Sequence, residues 1–291
     1  MDATTGAVPT RVLVLGMAHA DGSLDAAEVF AVAEACELSA DQVRSCLRRL
    51  VAEGLFERIG SGRAATYKAT ADGERAMAGY LERTRLAYAQ DQAGRGWDHH
   101  WHLVAFAIPE SQRAARDALR DRLLGLGGAR IHDGLYVSPH RWGSDVVAEA
   151  ERLGVAAMVT VAATDDLDVG GERDPRELAR RLWPLDDLAE RYHAFADGYA
   201  RMPDLLEGML ERRERVAEEA FHAGALRTTV AFQAVFNDDP LLPPELLPRP
   251  WPGRMARDLL LRSRRLGMRL RHRADRPALF RTYDELIESI H

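Results

Sequence analysis

The sequence predicts an α+β protein of several domains. An N-terminal winged helix-turn-helix is expected over residues 1–75, a connecting helix and linker over 76–96, a ferredoxin-like βαββαβ domain over 97–170, and an all-helical C-terminal domain over 171–291. Three observations predict this. In the first fifty positions apolar residues recur at helical spacing, and the pattern then changes to short runs around glycines. In the middle of the chain, strand-like and helix-like runs alternate as strand, helix, strand, strand, helix, strand. From about Pro175 onward the long runs are helical, separated by glycine and proline breaks.

Composition agrees with a folded protein of this kind. At about 150 residues per domain, 291 residues allow two or three units. The 46% hydrophobic and 29% charged content excludes wholesale disorder. No run approaches the roughly 18 to 20 apolar residues of a membrane span, and the first thirty residues lack a secretory pattern, so a cytoplasmic protein with no membrane contact is expected. Cys36 and Cys46 both fall in helical patterns, and two buried reduced thiols are expected of them. The net charge of −6 excludes a globally basic nucleic-acid binder. Lys68 is the single lysine among 39 basic residues, so an arginine here says little by its identity alone. Its place on a face is what counts.

The N-terminal elements follow in order. Residues 10–19 and 25–36 read as two helices, the second with Val29, Val32 and Ala33 on one side. Ser39 and Gln42 then have capping-box spacing, and Val43, Cys46, Leu47, Leu50 and Val51 fall at i, i+3, i+4, i+7 and i+8. The opposite side of this helix carries Ser45, Arg48 and Arg49, bordered by Gln42 and Arg44. After Gly54 two short strands flank Gly60-Ser61-Gly62 as a wing that brings Arg58, Arg63, Tyr67 and Lys68. Residues 42–68 hold six basic residues against Glu53 and Glu57, a balance of +4, although residues 1–80 as a whole are at −3. Positive charge gathered on one helix and a wing is the pattern of phosphate contact and major-groove readout of double-stranded DNA. Gln42, Arg44, Ser45, Arg48, Arg49, Arg63, Tyr67 and Lys68 are the candidate DNA contacts.

A polar helix follows Gly73 and ends in the linker DQAGRG. The first strand of the middle domain starts in GWDHHWHLVAF and stops at Pro109. On a continued strand His100 and His102 share one face with Asp98 while His99 takes the other, so the three histidines are not expected to hold one metal ion, and a His100, His102 and Asp98 set is the alternative. Trp97 and Trp101 would anchor the linker on the sheet. A helix through Leu124, a hairpin around Asp133-Gly134, a helix from Gly143-Ser144 and a last strand, VAAMVTVAA, complete the domain.

Helical runs occupy most of the last third. Between two of them lies DPLLPPELLPRPWPG, too rich in proline for a helix; an extended loop is expected there, packed down by Leu241, Leu246, Leu247 and Trp251. Residues 254–276 carry nine arginines against Asp258 and Asp275. That run is open to three readings: a solvated helix, a second nucleic-acid surface, or a site for a polyanionic ligand, for which Trp251, Arg254 and Arg257 are the candidates. An enzyme is not expected and no cofactor is implied, since the chain has no GxSxG, Walker or HExxH pattern. A metal-dependent nuclease using Asp165, Asp166 and Asp168 is one alternative, and a winged-helix module that binds protein is another.

Several segments resemble the PaaX family of phenylacetate-catabolism transcriptional repressors. They are the winged-helix start, W-x-L-V-x-F-x-I-P-E from Trp101 to Glu110, G-L-Y-V-S-P from Gly134 to Pro139, and D-P-L-L-P-P-E-L-L-P-x-x-W-P-G from Asp239 to Gly253. The resemblance implies a homodimeric repressor with a central domain of Cas2-like fold. It also implies release from operator DNA by a small-molecule effector, an acyl-coenzyme A in the best-studied type. The chain departs from the family in carrying Phe232-Gln233 where an aromatic-arginine pair is expected, and in its abbreviated wing.

Overall fold

The computed structural model describes residues 9–214, 218–270 and 279–290. In chain order the elements are α1 (Thr10–Gly16), β1 (Ser23–Asp25), α2 (Ala26–Ala35), α3 (Ala40–Ala52), β2 (Phe56–Ile59), β3 (Thr66–Ala69) and α4 (Ala71–Ala93). Then come β4 (Trp101–Phe106), α5 (Arg113–Gly125), β5 (Ala129–His132), β6 (Leu135–Ser138), α6 (Gly143–Arg152) and β7 (Val159–Thr164). The remaining helices are α7 (Pro175–Leu182), α8 (Leu185–Tyr199), α9 (Met202–Glu211), α10 (Glu218–Phe236), α11 (Pro252–Leu270) and α12 (Asp284–Ser289). Contacts gather them into two compact units. One takes in residues 1–85, 194–234 and 255–291, the other 86–193 and 235–254. No helix among the described residues is long and apolar enough to cross a membrane.

In the first unit, local chemistry starts the helices. The Asp25 carboxylate accepts the Ala27 and Glu28 N–H groups at the head of α2. At α3 the Ser39 hydroxyl accepts the Gln42 N–H while the Gln42 side-chain oxygen accepts the Ser39 N–H, the reciprocal box that its spacing predicts. Val43, Cys46, Leu47 and Leu50 of α3 are buried with Leu13 and Val14 of α1, Val29 of α2 and Phe56 of β2. Each large apolar side chain there contributes on the order of 2 kcal/mol of burial.

The structure differs from expectation in two places here. The two-stranded wing is part of a three-stranded antiparallel sheet, order β1-β3-β2, in which Leu24 stands opposite Tyr67. Strand β1 has only three residues, too few for alternation to show in the sequence. Helix α4 starts ahead of Gly73, because the Thr70 hydroxyl accepts the Gly73 N–H and donates to the Gly54 carbonyl. Position 73 must be glycine for this, since a Cβ there would lie 2.0 Å from the Leu55 carbonyl oxygen.

Distant parts of the chain complete the same core. Leu226, Leu279 and Phe280 are buried with the residues of α1 to α3. Phe280 has a left-handed backbone (φ 64°), a conformation that costs a bulky residue about 1–3 kcal/mol. It is held there because its N–H donates to the Gly16 carbonyl and its ring fills the space that a Cβ on Gly16 would need.

The second unit contains a four-stranded, fully antiparallel sheet, order β5-β6-β4-β7. That order, with α5 and α6 as the two crossovers, is the ferredoxin-like arrangement. Val104 and Tyr136 of the sheet are buried with Leu119 and Leu123 of α5 and Val146 of α6. Gly134, at φ 75°, closes the β5–β6 hairpin. Strand β7 starts at Val159 rather than Val155, because Ala156–Met158 form a single 3-10 turn.

The proline-rich segment packs down in this unit, with Leu241, Leu246, Leu247 and Trp251 buried. Its entry is held by the buried Asp239 carboxylate, which accepts the Tyr192 hydroxyl at 2.7 Å and the Leu241 N–H at 2.8 Å. Farther along, the Glu245 carboxylate accepts the Gly96 and Trp97 N–H groups, so the motif grips the linker that leads into β4.

The histidine stretch corrects a further expectation. Strand β4 begins only at Trp101, so Asp98, His99 and His100 do not alternate on a strand. The Asp98 side chain accepts the His100 N–H, a turn-forming bond, and His99 takes a left-handed backbone (φ 61°). Asp98 also accepts Arg141 Nε at 2.8 Å and pairs with His102 Nε2 at 3.4 Å. Burial would raise its carboxyl, but Arg141, the His100 N–H and His102 outweigh that and hold it at about 2. The Trp97 ring lies 5.2 Å from Trp101, which is buried and stacked on Trp183 at 6.2 Å.

Candidate nucleic-acid interface

Because the apolar stripe of α3 faces the core, its opposite side is turned outward. Gln42, Arg44, Arg48 and Arg49 are exposed there, and Ser45 is half-buried at the border. Arg44 is held by Asp41 at 2.7 Å, and that guanidinium lowers the Asp41 carboxyl. Gln42 differs from its expected role, since its carbonyl oxygen is taken by the cap and only its amide N–H groups remain to meet a ligand.

Between α2, α3 and the β2–β3 hairpin lies a cleft of about 650 Å³. Arg44 and Arg48 reach it from α3 and Arg58 from β2, over a base that includes Phe30, Leu47 and Tyr67. Tyr67 is buried in this base as well as in the core, which leaves it much less surface for an outside partner than a wing residue was expected to have. Lys68 is exposed and stands opposite Glu57 in the hairpin register. The backbone of Arg63 lies in the 3-10 turn Gly62–Ala64, and its side chain is outside the described residues.

Arg58 was missing from the candidate contacts. A register signal could have found it, because it stands opposite Tyr67 and so shares that residue's side of the hairpin.

Several cations on this face have no internal partner. Among the described residues, Arg48, Arg49, Arg58 and Lys68 make no ion pair. In the second unit the half-buried Arg116 and Arg120 and the exposed Arg152 and Arg173 are each paired with a carboxylate. Exposed cations without internal partners, gathered on one helix and the neighbouring hairpin, can meet phosphate with no bond to break first.

The other candidates belong to other elements. Trp251 is buried edge-on to Tyr192 at 6.0 Å, Arg254 is exposed near the start of α11, and Arg257 is buried. The last arginines of the 254–276 run, from Arg271, fall outside the described residues. In the loop after β7, Asp166 and Asp168 are both bound by Arg173, and the Asp168 carboxyl is lowered by the Gly171 N–H and by Arg173. Among the described residues no group of three or more His, Cys, Asp or Glu side chains is placed to hold a metal ion.

Residues 94–179 match the family described as the PaaX protein central Cas2-like domain, and residues 183–277 match the PaaX-like protein C-terminal domain. The chain is 27% identical over 252 residues to the transcriptional repressor PaaX of Escherichia coli (strain K12), covering 84% of this chain and 74% of that protein. Among solved structures it is similar to the uncharacterized protein Rv0674 from Mycobacterium tuberculosis, at 21% identity and a TM-score of 0.48 over 89% of this chain and 92% of the other.

Proposed function

Because the chain belongs to the PaaX family, we propose that it is a DNA-binding transcriptional repressor whose residues 9–70 act as a winged helix-turn-helix with α3 as the recognition helix. The observation that carries this reading is the set of cations without ion pairs, Arg48, Arg49, Arg58 and Lys68, on α3 and its hairpin in a chain of net charge −6. In the major groove, Arg48, Arg49 and Ser45 reach base edges, while Arg44, Arg58, Arg63 and Lys68 hold phosphate. Tyr67 supports the base of the cleft, and Gln42 adds its free amide N–H groups. A homodimer would set two such helices on half-sites one helical turn, or a multiple, apart.

The relative's printed name, a transcriptional repressor, supports repression as the outcome. The rest of the reading is a small-molecule effector that releases the repressor from a catabolic operon; an acyl-coenzyme A is the form the family resemblance suggests. Nuclease action is not favoured, because Arg173 already bonds to both Asp166 and Asp168.

The test is a fluorescence-anisotropy titration of the full chain with duplexes from the region upstream of its own gene. Sequence-selective binding whose affinity falls steeply with salt is expected, because each phosphate contact adds about 0.9 to the slope of log K against log salt. Equal, weak binding to all duplexes would refute the reading.

A further inference from the structure

Helices α9, α10 and α11 and the Leu279–Ile287 region line a largely apolar, partly open cavity of about 280 Å³ within the first unit. Its walls include Leu206 and Met209 of α9, Phe221 of α10, and Leu260 and Met268 of α11. An apolar cavity of about 150 Å³ is enough to take up benzene, so this one admits an aromatic ring with a short chain or an aliphatic chain of similar bulk. Its chemistry is not wholly apolar. Arg264 lines it, with its guanidinium carbon 5.2 Å from the centre of the Phe280 ring and 5.3 Å from that of Tyr283.

One Arg264 nitrogen donates to the Thr229 hydroxyl at 3.2 Å, and among the described residues Arg264 has no carboxylate partner. An arginine cannot shed its charge, and two rings and a hydroxyl hold this one in place. A guanidinium can bind a carboxylate through two parallel N–H donors. Arg227 and Asp284 also line the cavity, so its charged lining includes two guanidinium groups and one carboxylate.

We propose that this cavity binds a small apolar monocarboxylate, its chain among the Leu, Met and Phe side chains and its carboxylate on Arg264. Occupancy acts on the N-terminal helices through Phe280, which lines the cavity, packs in the core of α1 to α3 and bonds to Gly16. This regulatory half rests on the DNA-binding reading above. A ligand that presses on Phe280 shifts the DNA-bound state by as much as its affinities for the two states differ.

The binding half is tested on the full chain without DNA, by calorimetric titration with 3-phenylpropanoate, octanoate and cyclohexanecarboxylate, with the matching amides, and with octanoyl-coenzyme A. At least one carboxylate is expected to bind one per chain with a dissociation constant below about 1 mM, and its amide about tenfold more weakly or worse. Arg264→Gln is expected to weaken binding by about tenfold or more. Gly224→Leu should do the same with Arg264 intact, because Gly224 lines the cavity and a Cβ there meets nothing within 4 Å.

No binding by any of the three acids, equal binding of acid and amide, undiminished binding to Gly224→Leu, or binding of the thioester alone would each overturn the assignment. With DNA present, the bound acid is expected to change duplex affinity about fivefold or more in the unaltered chain and not in Gly224→Leu. If acids bind and duplex affinity does not move, the regulatory half fails. If the chain binds no DNA at all, the proposed function fails, and calorimetry still decides the cavity.

Discussion

Replacing Arg48 and Arg49 together by alanine tests the proposed recognition helix most directly. Both side chains are exposed and, among the described residues, without ion pairs, so their loss should change folding stability by no more than about 0.5 kcal/mol each. Their effect on DNA binding should be much larger. A base contact from arginine discriminates by about 1–3 kcal/mol, and a phosphate contact adds about 0.9 to the salt slope. If each residue makes one such contact, the pair contributes roughly 2 kcal/mol or more, and 1.4 kcal/mol is already tenfold in affinity. Anisotropy titrations at several salt concentrations, beside a thermal melt, would show affinity reduced tenfold or more and a melt unchanged within a few degrees. Arg152→Ala with Arg173→Ala is the control, since both residues are ion-paired in the other unit and should leave DNA affinity unchanged. Unaltered affinity in the α3 double variant would refute its role, and an equal loss in the control would reduce the effect to net charge.

Three further expectations concern stability. Ser39→Ala removes half of the capping box of α3 and should cost about 1 kcal/mol in urea denaturation, with Ser39→Gly costing less. Tyr192→Phe leaves the buried Asp239 carboxylate without its 2.7 Å hydroxyl donor, for a loss of about 1–3 kcal/mol; a chain with the same denaturation midpoint would show that the bond adds nothing. Asp98 has a folded carboxyl value of about 2 against an ordinary 3.8, so the stability it contributes is present above about 3.8 and is lost as pH falls through about 2. Asp98→Asn should therefore be less stable than the unaltered chain by about 1–2 kcal/mol near pH 6, and the gap should close by about pH 2; a gap constant over that range would remove Asp98 as its source.

Much of the first unit is legible in the sequence where the determinants are neighbours in the chain. The α3 cap lies within four residues, and its apolar stripe within thirteen. The candidate contacts Arg48 and Arg49 were readable because the stripe that buries Leu47 and Leu50 turns the opposite side outward. The three-residue strand β1 was not, since it depends on which strand pairs with β3, whereas Arg58 was open to a register argument through its place opposite Tyr67. Tyr67 looked like a wing contact because residue type carries no record of the side of the sheet on which the core lies.

What the sequence by itself determined is the order of elements, the start of α3, the Asp133-Gly134 hairpin and the descent of the proline-rich loop. These depend on backbone preference and on hydrophobic period, both short-ranged. Only the tertiary structure decided that Phe280 sits against Gly16, that Glu245 grips the linker at Gly96, and that Arg264 faces an apolar cavity between two rings. Those contacts join residues up to 264 positions apart, and no local pattern encodes them: a side chain's surroundings depend on which distant surface packs against it.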